Sequence, residues 1–223
     1  GGYDIKALAT AQSGDRIPRT DWGVYKSFTP RRDEEKTQRK GEASYRKYEN
    51  PIGQQREFFM PVVPPELADA IYKKHGINPT TAERQSGLYY VALKYNLPII
   101  VTEGAKKTMA SLSQGHITIG MQGVNALYRA TDDEGKRLLK RIFNEDFACW
   151  ATPGRDITFA FDADSKPSSV VAVRRAMVHS IELLQERGCN IRVAQWKPVQ
   201  GKGIDDLIVQ SGPKAWDIAV KEA

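Results

Sequence analysis

The sequence has few of the residues that build disulfides or zinc sites. Its 223 residues include two cysteines, Cys149 and Cys189, and three histidines. The cysteines are far apart and match no metal-ligand spacing, and so few ligands exclude a zinc finger or a zinc hydrolase. Unpaired cysteines are typical of a reducing compartment, so we expect a cytoplasmic protein.

Long apolar runs are also absent. No stretch approaches the ~18 consecutive apolar residues of a membrane span, and there is no secretory leader, so we expect no membrane partner. The chain opens with Gly1-Gly2-Tyr3 rather than with methionine. We therefore expect a fragment excised from a larger protein.

What the sequence does contain fits a globular protein with a basic surface. Hydrophobic residues make up 40% and charged residues 27% of the chain, and Lys plus Arg outnumber Asp plus Glu by 33 to 27. This excess is compatible with a polyanionic partner without requiring one. A chain of 223 residues has room for one complete domain plus an arm or small subdomain, since domains average roughly 150 residues.

Residues 1–60 are predicted to form a charged N-terminal arm. Between Ser13 and Arg56 charged residues are dense, and no apolar period of 3.6 or 2 is sustained. The arm's aromatic residues indicate that it packs against something; they are Trp22, Tyr25, Phe28, Tyr45 and Tyr48. We favour the following domain as that surface, and a nucleic-acid strand is the alternative.

Residues 61–96 are predicted to form a helical subdomain. A helix opens at Pro64-Pro65, places Leu67 and Ile71 on one face, and ends near Gly76, where a C-terminal cap is expected. A second helical piece follows up to Pro98.

Residues 97–223 alternate short apolar runs with helical stretches. We predict strands over 99–101, 117–119, 157–161 and 191–196, and helices over 104–115, 131–143, 170–184 and 213–220. The helix over 131–143 is inferred from a capping-box pattern, Thr131-Asp132-Asp133-Glu134. Four strand–helix repeats predict an α/β fold, in which a four-stranded parallel sheet is flanked by helices.

Acidic residues follow three of the four predicted strands. They are Glu103 after the first strand, Asp162 and Asp164 after the third, and Asp205 and Asp206 after the fourth. Carboxyl ends of parallel strands meet at one edge of a sheet, where ligands bind. Carboxylates without His or Cys suit a hard cation, so this edge is a candidate Mg²⁺ or Mn²⁺ site. Alone, each acid has a simpler explanation, such as Asp205 as the N-cap of a short helix.

Lysines and glycines near these acids are candidate phosphate-binding residues. Lys106 and Lys107 lie in the first turn of a predicted helix, where each either binds a substrate phosphate or points into solvent. Lys107 has a third possibility, which is to replace one cation of the metal site. Glycines allow a backbone to approach a phosphate closely, although a tight turn alone also explains them. The candidate phosphate or nucleic-acid contacts are Gly104, Lys106, Lys107, Gly123 and Lys202.

As a set, these motifs resemble a TOPRIM domain, the metal-binding module of bacterial-type primases, topoisomerases and some nucleases. The resemblance is closest to the TOPRIM-like region of cyanobacterial-type plasmid replication proteins and of phage or plasmid primase-helicases. It is carried by Glu-Gly-x-Lys-Lys at 103–107, by Asp-x-Asp at 162–164 and by Lys-Gly-x-Asp-Asp at 202–206. Lys47-Tyr48-Glu49-x-Pro51 also resembles that family, so the likeness spans roughly residues 45–223.

The resemblance implies roles for individual residues. Glu103 would act as an acid–base or metal-bridging group, Asp162 and Asp164 would hold Mg²⁺, and Asp205 or Asp206 would complete the coordination. Lys107 departs from the bacterial primases, which have an acidic residue at this place. This departure puts a two-metal arrangement in doubt, and it is the feature that favours a module without activity. Glu103 and Lys107 are the candidate catalytic residues.

The function implied by the resemblance is Mg²⁺-dependent nucleotidyl transfer, the synthesis of primers from nucleotides on single-stranded DNA. A helicase region elsewhere in the full-length protein is a further implication. The alternatives are a TOPRIM nuclease, in which water replaces the sugar hydroxyl, and a DNA-binding replication module without activity. A topoisomerase ranks last, because Tyr89, Tyr90 and Tyr128 show no sign of a transesterifying role.

Overall fold

A computed structural model of the protein describes residues 2–20, 27–46, 49, 58–132 and 134–223. The helices in this part of the chain are α1 (Ile5–Thr10), α2 (Glu34–Lys40), α3 (Pro65–Lys74), α4 (Thr81–Ser86), α5 (Leu88–Lys94), α6 (Ala105–Ser113), α7 (Pro167–Gln185), α8 (Ile204–Ser211) and α9 (Pro213–Lys221). The strands are β1 (Ile99–Glu103), β2 (Thr118–Met121), β3 (Tyr128–Thr131), β4 (Arg137–Phe143), β5 (Asp156–Ala160) and β6 (Asn190–Val193). Two 3₁₀ helices cover Glu145–Trp150 and Pro198–Gln200.

The centre of the fold is a four-stranded parallel sheet in the order β2-β1-β5-β6. β1 and β5 are neighbours, with Thr102 opposite Ala160, so the chain leaves both strands at adjacent points of one edge. β1, β2 and most of β5 are buried along their length, as expected of parallel strands covered on both faces. The predicted α/β fold with a four-stranded parallel sheet and flanking helices is confirmed.

The two faces of the sheet contribute to different hydrophobic clusters. Val101 and Phe159 belong to the larger cluster, which also contains residues of α3, α5 and α7. Ile100 and Ala160 belong to the smaller cluster with Leu207 of α8 and Trp216 of α9. Successive residues of a strand point to opposite faces, so one apolar run serves both clusters.

The helices of residues 61–96 pack directly on this sheet. The hydroxyl of buried Tyr89 in α5 donates to the carbonyl of Thr118 in β2 at 2.7 Å. The buried guanidinium of Arg155 donates to the carbonyls of Ala92 and Leu97 at 3.2 and 2.7 Å, at the C-terminal end of α5. The helices predicted for this region are therefore present and share the larger core. Its status as a separate subdomain stays a prediction.

The N-terminal arm packs on the domain over residues 2–20. Ile5, Leu8 and Ile17 are buried in the larger cluster, and the ring of Tyr3 contacts that of Tyr89 edge to face. Phe28 and Tyr45 are exposed. The remaining arm aromatics, Trp22, Tyr25 and Tyr48, lie outside the described residues, as do Lys47 and Pro51 of the resemblance.

The helix expected over 131–143 is wrong: β3 and β4 form an antiparallel hairpin there. Asp132 closes the turn, because its carboxylate accepts from the backbone N–H groups of Glu134 and Lys136. Gly135 has a φ of 82°, which is incompatible with a helix. A Ser/Thr-x-x-Glu pattern marks a helix start only where the next residues can take helical angles. Asp133, part of that pattern, lies outside the described residues.

Two further features of the described residues concern membrane-spanning helices and the cysteines. The segments that the structure describes include no helix with both the length and the apolar character needed to cross a bilayer. Cys149 and Cys189 are free thiols, and burial raises the pKa of the Cys149 thiol to about 11.

Candidate functional site

The carboxyl edge of β1 and β5 holds the first three predicted site residues. Glu103 is the last residue of β1 and is half-buried, with no hydrogen bond or ion pair to a side chain of the described residues. Asp162 and Asp164 follow β5, and the N–H of Asp164 donates to the carbonyl of Asp162 at 2.9 Å in a tight turn. Their side chains are 21% and 24% exposed, so both carboxylates are within reach of solvent.

Lys107, in the first turn of α6, points into this edge. Its ammonium Nζ lies 2.5 Å from Oδ1 of Asp162, and its side chain is 16% exposed. This contact is the geometry expected if Lys107 replaces one cation of the metal site. A lysine pointing into open solvent, the alternative, is wrong for Lys107.

The loop between β6 and α8 brings the second lysine. The N–H of Ala163 donates to the carbonyl of Lys202 at 2.8 Å, which ties this loop to the turn after β5. The Lys202 ammonium lies 3.0 Å from Oδ1 of Asp164 and 3.8 Å from Oδ2 of Asp162. These carboxylates, chiefly that of Asp164, raise the pKa of Lys202, and Glu103 contributes at longer range. Lys202 is 58% exposed, so it can leave this position more readily than Lys107.

Gly203 holds Lys107 and Asp205 side by side. A Cβ on Gly203 would lie 2.9 Å from Cδ of Lys107 and 2.7 Å from Oδ1 of Asp205, so both side chains lie over the bare glycine. This role of Gly203 was not predicted from the sequence, although the glycine is part of the Lys-Gly-x-Asp-Asp motif. Only the approach of Lys107, 96 positions earlier in the chain, shows why the residue is glycine.

Asp206, and not Asp205, takes part in capping the N-terminus of α8. The N-cap of α8 is Gly203, and Oδ2 of Asp206 accepts from the Gly203 N–H at 3.3 Å. The reading of Asp205 as an N-cap is therefore wrong. Its carboxylate folds back toward Gly203 and joins the edge, whereas the more exposed Asp206 is held by the cap.

The structure does not bring all predicted phosphate contacts into the cluster. Lys106 is exposed on α6. The N–H of Gly104 donates to the carbonyl of Met121 at 3.0 Å, so it is used by the sheet and is not available to a phosphate. Gly123 lies in the loop after β2, on the same edge of the sheet, with a φ of 122°. The proposed phosphate roles of Lys106 and Gly123 stay predictions.

Whether these residues fit a divalent cation follows from their charges and pairing. Among the described residues no three Asp, Glu, His or Cys side chains are gathered in a set that would hold a metal. Instead, two ammonium groups neutralise Asp162 and Asp164. The edge gathers four carboxylates and two ammonium groups, which leaves a formal charge of −2; they belong to Glu103, Asp162, Asp164, Asp205, Lys107 and Lys202. Paired in this way, the carboxylates do not form a ready cation site; the remaining negative charge would suit one hard cation rather than two, and only if Lys202 released Asp164.

Comparison with known proteins places the chain in a family. Residues 88–215 match the family described as "Domain of unknown function (DUF3854)". The chain belongs to this family. The DUF3854 match begins in α5 and includes the whole parallel sheet and every predicted site residue from Glu103 to Asp206.

This DUF3854 chain also matches part of a longer curated protein. An uncharacterized protein of Picosynechococcus sp. (strain ATCC 27264 / PCC 7002 / PR-6) is 35% identical over 198 residues, which cover 87% of this chain and 19% of the relative. The chain thus spans about a fifth of the length of the curated relative that it matches.

Proposed function

We propose that this chain is the TOPRIM-like module of a plasmid or phage DNA replication protein. Its activity is nucleotidyl transfer on single-stranded DNA, with Lys107 as a permanent cation and one Mg²⁺ or Mn²⁺ as the second. The observation that carries the proposal is the Lys107–Asp162 contact of 2.5 Å at an edge that keeps a formal charge of −2. The resemblance of its three motifs to TOPRIM domains supports the choice of chemistry.

Lys107 and Lys202 are the groups that bind phosphate in this proposal. An ammonium has three N–H donors, so Lys107 can keep its bond to Asp162 and donate to a phosphate oxygen at the same time. Lys202 is more exposed and pairs with Asp164 at 3.0 Å, so an arriving phosphate competes for it directly. Release of Lys202 would free Asp164.

Glu103 is the acid–base residue of the proposal. It lies at the end of β1 and has no side-chain partner among the described residues, so its carboxylate is free to accept a proton from an attacking hydroxyl. Glu103, Asp162 and Asp164, with Asp205 or Asp206, are the residues that would hold the cation. When bound, a divalent cation neutralises charge on the phosphate and favours the ionised form of a hydroxyl nucleophile.

A second candidate is a replication module that binds DNA without catalysis. The pairing of Asp162 and Asp164 with lysines favours it, because an ammonium group already balances the charge of each carboxylate before any ligand binds. A nuclease is the third outcome, since it would use the same carboxylates with water as the nucleophile. A cytoplasmic location and a helicase region in the full-length protein belong to the proposal as well.

The test combines cation binding with activity. Mn²⁺ binding is measured by calorimetry and by electron paramagnetic resonance, and the products formed from labelled single-stranded DNA and nucleotides are resolved on a denaturing gel. We expect one Mn²⁺ per chain, primers made from nucleotides, and a loss of about a hundredfold or more in Glu103→Gln. The control is Glu66→Gln, which replaces an exposed carboxylate of α3 and should leave Mn²⁺ binding and primer synthesis unchanged.

The other outcomes separate the candidates. Shortened DNA in place of primers would identify a nuclease. DNA binding without Mn²⁺ binding, primers or cleavage would identify the inactive module. A protein that binds neither Mn²⁺ nor DNA would contradict the whole proposal.

A further inference from the structure

The outer face of α7 carries two positive charges that are not part of the candidate site at the sheet edge. Arg174 and Arg175 are exposed in the middle of this helix, and neither has an ion-pair partner within the described segments. Val171 and Val178, 57% and 42% exposed, flank them. Unpaired arginines beside exposed apolar side chains are a combination typical of an interface.

These residues surround one shallow depression of about 270 Å³, together with His179. The ring of His179 is held edge to face against Tyr128 of β3 at 5.7 Å, and its Nδ1 lies 3.5 Å from Glu182. The depression therefore has apolar walls, and the charged ends of Arg174 and Arg175 belong to the surface around it. We name this surface the α7 face: Val171, Arg174, Arg175, Val178 and His179.

The α7 face leads away from the candidate site. α7 begins at Pro167, three residues after Asp164, and ends near Gly188, whose carbonyl accepts from the Gly154 N–H just before β5. The helix thus starts at the carboxyl edge of the sheet and runs back toward the amino edge. Arg174 is seven residues into it, about 10 Å from the edge at ~1.5 Å per residue.

We propose that the α7 face binds single-stranded nucleic acid, with phosphates on Arg174 and Arg175 and one unstacked base in the depression. Guanidinium groups bind phosphates as charged, bidentate donors. A base presents an apolar face that packs against valine methyls, guanidinium planes or an imidazole. In a duplex the bases are stacked and cannot enter such a depression, so single strands are favoured. The inference rests on the proposed function for the identity of the polymer.

The experiment measures binding of a fluorescein-labelled oligo(dT) of about 20 nucleotides, longer than the ~4–16 nucleotides that single-strand-binding folds contact. Fluorescence anisotropy is followed over a range of salt concentrations. The main variant is Arg174→Gln/Arg175→Gln. Its matched control is Lys73→Gln/Lys214→Gln, which removes the same charge from two exposed lysines outside the α7 face. Val178→Asp tests the depression, and circular dichroism checks that each variant is folded.

We expect the arginine variant to bind about tenfold more weakly than the control. The slope of log K against log salt should fall by about 1.4, since each phosphate contact in a single strand contributes ~0.7. Val178→Asp should weaken binding as well, and a duplex of the same length should compete poorly. An arginine variant that binds as tightly as its control would overturn the inference, as would a duplex that competes equally.

A Lys202→Gln variant separates this inference from the proposed function. If Lys202→Gln weakens binding and the arginine variant does not, the α7 face is wrong and the site proposal stands. If the arginine variant weakens binding and Lys202→Gln does not, the strand binds on the helix and Lys202 is not a phosphate contact of the site. If neither weakens binding, both are wrong.

Discussion

The ammonium of Lys107 lies 2.5 Å from a carboxylate oxygen of Asp162, a residue 55 positions later in the chain. This contact joins the first turn of α6 to the loop that follows β5, at the edge where three acidic motifs meet. If the chain is the TOPRIM-like module proposed above, the contact places a positive charge where bacterial primases have an acidic side chain.

Replacement of Lys107 should separate its two contributions. Lys107→Ala removes a phosphate contact, so single-stranded DNA should bind more weakly and the salt slope should fall by about 0.7. Lys107→Asp restores a carboxylate beside Asp162, so its Mn²⁺ affinity should exceed that of the wild type in calorimetry. Lys106→Ala, one residue away and exposed, is the control. Lys107 variants that behave as this control in both measurements would contradict the assigned role.

Gly203→Ala should disturb the site while the protein stays folded. The new Cβ would lie 2.9 Å from Cδ of Lys107 and must displace this flexible side chain or that of Asp205. We expect weaker DNA binding, with the free energy of unfolding lowered by about 1 kcal/mol or less.

Gly201→Ala is the contrasting variant for this measurement. Its Cβ would meet the backbone of Asp206 and Leu207, at a φ of 141°. Since backbone cannot move aside as a side chain does, we expect a loss of about 1–3 kcal/mol in urea unfolding. Equal stability of the two variants would show that the loop does not hold the described conformation.

Arg155→Met should destabilise the fold strongly. The Arg155 side chain is fully buried, lies over the Trp150 ring, and donates to the carbonyls of Ala92 and Leu97. Burial lowers the pKa of Arg155 to about 10, yet the group stays protonated at neutral pH. The Ala92 carbonyl keeps the backbone N–H of Leu97 as a donor, whereas the Leu97 carbonyl loses the donor that Arg155 supplies, which costs about 1–3 kcal/mol in urea unfolding. Arg192→Met, on exposed surface of β6, should change stability by less than about 0.5 kcal/mol.

Glu83 should make stability depend on acid pH. The Lys94 ammonium at 2.6 Å and the Thr80 backbone N–H lower the pKa of Glu83 to about 2. Because the folded-state pKa lies below the unfolded value, this contribution is complete above about pH 5 and is lost as pH falls toward 2. Thermal unfolding followed over this range should show a smaller drop in Tm for Glu83→Gln than for the wild type. An identical pH profile for both would contradict the assignment.

Strand positions were readable from sequence because parallel strands are buried on both faces. Ile99-Ile100-Val101 and Ile157-Thr158-Phe159 are short apolar runs with no rival interpretation, and both are strands in the structure. The segment of β3 and β4 could not be assigned in this way, because the same Asp and Glu residues suit both a capping box and a turn. The hairpin forms because the turn at Gly135 closes against β3, and a local pattern does not contain that pairing.

The sequence by itself determined the order of strands and helices, and therefore that Glu103, Asp162, Asp164 and the 202–206 loop come to one edge of the sheet. This follows from chain direction alone, since parallel strands all end on the same side. Only the tertiary structure decided how the charges pair there. The bond between Lys107 and Asp162 depends on a distance between elements remote in sequence, and on a bare Gly203 that leaves room for the lysine.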